Sequence, residues 1–288
     1  MLIYYSVGGG LGHLARAKKV IRHLKLCSPV LLISASQQFD YVDFPGNVSY
    51  HKLADELSSN IDELQKYLQQ LILSIKPKEI IIDSFPSGIK GELNNLPVLK
   101  DMNTTLIARS LRWQTYKKHC HLSNITFDRV LTLEPLETDY LQYLSGISTT
   151  ILNFSLDDYC TQSVSIMQLK KLGITDDMPL WIVTHSGPQE EVIELLNYTN
   201  DMIEVEKANP RVLLISPLKP EHAIKYYHAA VFPACPYFDY ADRIITGCGF
   251  NSMQETRRYR KKHFYIPFYR HYDDQFARAA RHRAAHRT

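Results

Sequence analysis

Long apolar runs are missing from this sequence: no stretch approaches the ~18 apolar residues of a membrane span. Its first residues, MLIYYSVGGG, carry no basic region and too short an apolar run for a secretory signal. A cytoplasmic protein is expected. Cysteine is scarce as well, with five residues (Cys27, Cys120, Cys160, Cys235, Cys248), odd in number, scattered, and without a C-x-x-C pair or zinc spacing. That pattern argues for a reducing compartment and against a structural metal. No Asp-x-Asp triplet occurs, so one familiar pair of metal-holding carboxylates is absent. Five Asn-x-Ser/Thr triplets, at Asn47, Asn103, Asn124, Asn153 and Asn197, carry no weight, since such triplets are frequent by chance. Glycine is also sparse, 12 in 288 residues, yet Gly8, Gly9, Gly10 and Gly12 crowd into five positions just before His13.

What the chain does contain is an ordinary globular composition, 45% hydrophobic with a net charge of +3. Its length suits about two domains of ~150 residues. The charge is uneven: residues 257–288 carry ten Lys/Arg against Asp273 and Asp274. Solvation is the default reading of these cations. A membrane-surface contact is an alternative, and nucleic-acid binding would need them to form one exposed stripe with stacking aromatics. No nucleic-acid partner is expected.

Strand-length apolar runs alternate with segments of helical period, the pattern of βαβ units and a parallel sheet. Strands are expected at 2–7, 30–34, 79–83, 105–108, 129–133 and 149–152, with helices over 13–25 and 61–75. A second series has strands at 180–184, 211–215, 230–232, 243–246 and 263–267, with helices over 190–199, 220–227 and 252–260. The polar break between Asp157 and Asp177 divides the two series. It places the domains at 1–160 and 161–288.

In each half a strand runs into a glycine-bearing loop and then a helix: IYYSVGGGLGHLARA in the first, RIITGCGFNSMQET in the second. Glycine lets the backbone approach a ligand closely, and a helix N-terminus offers unpaired N–H groups to an anion. The first loop is not G-x-G-x-x-G and no acidic residue ends the next strand, so an NAD site is poorly supported. Neither loop is followed by Lys-Ser/Thr, which excludes a P-loop.

These two motifs, in this order about 235 residues apart, resemble those of the GT-B glycosyltransferases, in particular the branch containing the lipid II-forming N-acetylglucosaminyltransferase. GGGLGHLARA is similar to the first loop of that branch, and ADRIITGCGFNSMQETRRYRKKHFYIPFYRHYDDQFARA to its donor-binding segment. The resemblance implies an α/β fold, two Rossmann-like parallel-sheet domains facing across a cleft. It implies a nucleotide-sugar donor, usually a UDP-sugar, held by the second domain, an acceptor of unknown identity on the first, and no cofactor or metal. Carried onto matching positions, Gly247, Gly249, Asn251 and Ser252 would face the diphosphate, with Gly10 and Gly12 on the first-domain loop. Glu255 would take the ribose hydroxyls, while Asp274 and Gln275 would hold the sugar. His185, Ser186 and Gly187, in THSGP, look like the other phosphate-side loop. His13 is the candidate general base of an inverting, metal-independent transfer, and an unperturbed pKa near 6.5 suits that task.

Each candidate has a plainer reading. His13 can simply open a helix. Ser252 and Glu255 have the spacing of a capping box. Asp273, Asp274 and Gln275 can form a solvated helix N-terminus. The His119–His121 triplet is a surface loop, because three adjacent residues cannot converge on one ion. Asp83, Ser84 and Arg109 end two neighbouring strands where ligands bind in open α/β sheets, and are candidate acceptor-side groups beside a reading as strand caps. A UDP-sugar hydrolase and a non-catalytic nucleotide-sugar-binding protein are the alternatives to a transferase.

Overall fold

The computed structural model describes residues 1–55, 57, 60–120, 122, 125–156, 164–174 and 178–285. The chain forms two compact units: unit 1 is Met1–Leu156 with Arg270–Asp274, and unit 2 is Asp157–Tyr269 with Gln275–Thr288. The domain boundary expected at 160/161 lies outside the described residues, as do Cys160, His121 and the sequon at Asn124.

Unit 1 is built on seven parallel strands: β1 (Leu2–Tyr5), β2 (Val30–Ser34), β3 (Val48–Lys52), β4 (Glu79–Asp83), β5 (Asn103–Ala108), β6 (Phe127–Thr132) and β7 (Ser148–Asn153). They lie in the order β3-β2-β1-β4-β5-β6-β7. All four residues of β1 are buried, as befits a central strand covered on both faces. Helices α1 (Leu11–His23), α2 (Ile61–Ile75), α3 (Trp113–His119) and α4 (Thr138–Gly146) connect the strands. Helix α2 shows why this sequence turns helical where it does. The Asn60 side chain accepts the Asp62 and Glu63 N–H groups, Leu64, Leu68 and Ile72 recur at four-residue spacing on the buried face, and left-handed Lys76 ends the run. Each such side chain contributes roughly 2 kcal/mol by leaving water.

Unit 2 repeats the plan with five parallel strands, β8 (Leu180–Thr184), β9 (Arg211–Ile215), β10 (Tyr227–Ala229), β11 (Arg243–Gly247) and β12 (His263–Ile266), in the order β10-β9-β8-β11-β12. Its helices are α5 (Ile166–Lys171), α6 (Gln189–Glu206), α7 (Phe250–Glu255) and α8 (Gln275–Ala284). Alternate strand residues serve two cores: Ile182, Leu213 and Ile244 pack on one face, Val183, Leu214 and Ile245 on the other. No helix among the described residues is long and apolar enough to cross a membrane.

Both sheets reverse direction of growth at their first strand. The chain leaves β1 for β2 on one side and later returns to place β4 on the other, and β8 is flanked by β9 and β11 in the same way. The gaps beyond β1/β4 and β8/β11 are therefore topological switch points, where open parallel sheets bind ligands.

The second unit departs from expectation in several places: a helix forms at Ile166–Lys171 inside the expected polar break, and the helix expected over 190–199 runs on to Glu206. No helix forms over 220–227, and the strand expected at 230–232 lies at Tyr227–Ala229. Local side-chain bonds hold that stretch as a loop: His222 Nδ1 accepts the Ile224 N–H, its Nε2 meets Asn197, and the Tyr226 hydroxyl donates to the Pro220 carbonyl. The helix expected over 252–260 stops at Glu255 and gives way to a 3-10 segment at Arg257–Lys262. There the Thr256 hydroxyl bonds back to the Ser252 carbonyl, and Tyr259 turns inward to donate to Asp239.

Candidate functional site

The Gly-rich loop follows β1 and caps α1. Gly10 is the N-cap, so helix begins at Leu11 and His13 stands inside the first turn instead of opening the helix. Gly9 and Gly10 border open space. Gly8 is different, because a Cβ there would lie 2.4 Å from His13 Nε2. The imidazole rests directly on that glycine, which is why the residue is required.

Behind His13 lies a buried polar chain. Arg16 Nε donates to both Asp83 oxygens, at 2.8 and 3.0 Å, while its Nη2 reaches His13 Nδ1 at 3.1 Å and Ser84 Oγ at 3.2 Å. Asp83 also accepts from Tyr4 and Ser84, and lies 3.5 Å from Ser6 Oγ. The Ser84 hydroxyl takes a further bond from Arg109 Nε at 3.1 Å, and Arg109 Nη1 pairs with Asp273. Ser84 thus uses its one proton and both lone pairs. The partners follow from register: β1 and β4 run parallel with Tyr5 beside Ile82, so Ser6 and Asp83 come next to each other.

Electrostatics follow the geometry. Burial would raise the Asp83 carboxyl, but the Arg16 guanidinium, with His13 and Ser84, holds it below its ordinary value. His13 goes the other way: burial, then the Arg16 cation, push it down to about 3 against the pull of Asp83. The ordinary histidine pKa that recommended His13 as a base is not retained.

In unit 2, β8 and β11 are in-register neighbours, Thr184 beside Thr246, so their following loops adjoin. His185 Nε2 meets Glu191 Oε2 at 2.6 Å, and its ring tilts against Phe268. A Cβ on Gly187 would fall 2.4 Å from this ring, and one on Gly247 would fall 3.1 Å from it. His185 therefore wedges the two glycine loops, and Ser186 is exposed beside them. Gly249 caps α7 without a side-chain bond, and Asn251 and Ser252 fall within that helix. Because the cap is Gly249, the Ser252–Glu255 capping box is not formed. Glu255 is the last helical residue, roughly 9 Å along the axis from the cap. Gln275 begins α8, is 4% exposed, and accepts the Phe268 N–H through Oε1 at 3.0 Å. A solvated terminus does not describe it. Asp274 belongs to unit 1 and Gln275 to unit 2. Arg278 donates to the Cys248 carbonyl at 2.9 Å. Among the described residues, no three His, Cys, Asp or Glu side chains converge as metal ligands.

Sequence reasoning missed Arg16, Asp273 as a partner of Arg109, and the His185–Glu191 pair. Arg16 had a signal: it stands three residues after His13 on a helix, hence on the same face.

No protein-family model and no curated protein matches the sequence. Solved structures do match in fold. UGT2 of Phytolacca americana, complexed with UDP-2fluoro-glucose and pterostilbene, is 14% identical over 97% of this chain and 82% of its own, with a TM-score of 0.64. The S. aureus MnaA-UDP co-structure is 11% identical over 94% of this chain and 80% of its own, at 0.61. UDP-N-acetylglucosamine 2-epimerase from Rickettsia bellii is 13% identical over 89% of this chain and 76% of its own, at 0.58. The chain has the GT-B fold of two Rossmann-like parallel-sheet domains. These likenesses do not single out the lipid II-forming branch.

Proposed function

We propose that the protein is a nucleotide-sugar-dependent enzyme, a metal-independent glycosyltransferase whose donor is a UDP-sugar. The observation that carries this reading is the pairing of glycine loops with switch points. In unit 2 the loops after β8 and β11 meet at His185 and precede helices, offering backbone N–H groups to a diphosphate. Gly187, Gly247 and Gly249 admit the phosphates, with Ser186, Asn251 and Ser252 beside them. Glu255 is assigned to the ribose, and Asp274 with Gln275 to the sugar. Because Gln275 Oε1 already holds the Phe268 N–H, the amide N–H groups are what it offers. UDP-containing structures among the fold relatives support this choice of donor.

In unit 1, His13 is the candidate catalytic group, on a loop whose Gly9 and Gly10 border open space. Asp83, Ser84 and Arg109 are committed to one another and to Arg16, so their part on the acceptor side is to hold His13 in place. Transfer forms a bond from an acceptor hydroxyl oxygen to the anomeric carbon as the bond from that carbon to the diphosphate breaks. The diphosphate leaves with the electron pair, and the hydroxyl proton passes to it or to solvent. Fixed hydrogen-bond donors stabilise that leaving charge.

Calorimetric titration with UDP and then UDP-sugars, in EDTA, tests the donor site: saturable binding is expected, and its absence for every UDP species would refute it. Release of free sugar without an acceptor would instead favour a hydrolase.

A further inference from the structure

We infer that Arg16 is a positioning residue that keeps the His13 hydrogen on Nε2, so that this imidazole meets its substrate as a hydrogen-bond donor and not as the base that takes a hydroxyl proton.

A guanidinium has donors only and keeps its proton in proteins. The nitrogen it faces, His13 Nδ1 at 3.1 Å, must therefore present its lone pair. A neutral imidazole has one N–H, which is left to Nε2. Turning the ring over would put a C–H against Arg16 and lose the bond.

Arg16 has little freedom to move aside. Its Nε is shared between both Asp83 oxygens, and its Nη2 also reaches Ser84. Asp83 is held in turn by Tyr4 and Ser84, and Ser84 by Arg109, itself paired with Asp273. Every link in this chain is satisfied, and His13 is its last member. Adding a second proton would set an imidazolium against the Arg16 cation, in keeping with the low basicity of the ring.

The other edge of the ring is open. Nε2 has no hydrogen-bond partner among the described residues, and it lies where the side chain of residue 8 would be if that residue were not glycine. A neutral N–H is too weak an acid to transfer its proton, but it stabilises an oxygen on which negative charge builds. Resting on the nucleotide-sugar reading, that oxygen belongs to the substrate that meets this loop.

The test is a long-range proton–nitrogen NMR correlation on the full chain labelled with 15N-histidine at about neutral pH, with His13 assigned by its loss in His13→Gln. Expected are a protonated Nε2 and a bare Nδ1. A protonated Nδ1, or a doubly protonated ring, would overturn the inference. In Arg16→Lys the ammonium can stay on Asp83 without also serving His13, so a mixture of tautomers and a higher His13 titration are expected. An unchanged tautomer in a folded Arg16→Lys variant would count against Arg16. With a turnover assay, His13→Gln, which keeps an amide donor, should stay within about tenfold of wild type, while His13→Ala loses about 10²-fold or more. Equal losses would point back to a base. The nitrogen signals are read without substrate, so failure of the nucleotide-sugar reading leaves this result standing on its own.

Discussion

Arg109 and Asp273, 164 positions apart in the chain, form one ion pair, Nη1 to Oδ1 at 2.5 Å, with side chains 7% and 13% exposed. Together with the Arg112 N–H to Tyr272 carbonyl bond and the Leu111–Asp273 bridge, this pair ties residues 270–274 into unit 1. Removing one partner leaves a nearly buried charge. Asp273→Ala should therefore destabilise unit 1 by about 3 kcal/mol, and Asp273→Asn by about half as much because its carbonyl still accepts. The two tryptophans, Trp113 in unit 1 and Trp181 in unit 2, let urea unfolding be read unit by unit once the other is changed to Phe.

Glycine substitutions in the first loop should separate sharply. Gly8→Ala drives a methyl into His13 and should cost about 1–3 kcal/mol while displacing the ring. Gly9→Ala and Gly10→Ala meet nothing and should leave stability within about 1 kcal/mol. Thermal unfolding and the His13 nitrogen signals check both. A Gly8→Ala variant with an undisturbed His13 would contradict the close packing.

Acid should weaken both units well before carboxylates protonate. His13 and His263 are each pushed down to about 3, by burial first and then by Arg16 and His282 respectively. The unfolded chain titrates near 6.5. Between those values the unfolded state binds more protons, so stability is whole above about pH 6.5 and falls with added acid, by up to about 1.4 kcal/mol per pH unit per histidine. Asp83, held low, adds its loss only below about pH 4, as pH drops from its unfolded value through its folded one. Urea midpoints that stay flat from about pH 7 to 5 would show that these rings charge freely in the folded protein.

For the sugar contact, Gln275→Glu is a cleaner probe than Gln275→Ala. The carboxylate can still accept the Phe268 N–H, whereas alanine orphans it at about 1–3 kcal/mol. Gln275→Glu should weaken UDP-sugar binding by about tenfold and UDP binding far less; equal weakening by calorimetry would remove Gln275 from the sugar.

The central strands were legible because burial on both faces writes them as unbroken apolar runs: Ile80–Ile82 in β4 and Ile244–Ile245 in β11 could hardly be anything else. Glycine placement located both switch-point loops. The loop at 220–226 was not legible, since His222 and Tyr226 override a helical period through bonds that only the folded chain reveals. Nor was the chemistry behind His13. Arg16 and Asp83 are 67 positions apart and meet only because β1 pairs with β4, and a paired charge reads in sequence like a solvated one.

The excursion of residues 270–274 means that neither unit is one uninterrupted piece of chain. A fragment ending at Leu156 would lack the partner of Arg109, and one ending at Tyr269 would lack both Gln275, which holds Phe268, and Arg278, which holds Cys248. During synthesis unit 1 must wait until residues 270–274 have left the ribosome before its last segment can dock. Expressing the halves separately is thus expected to yield two incomplete proteins.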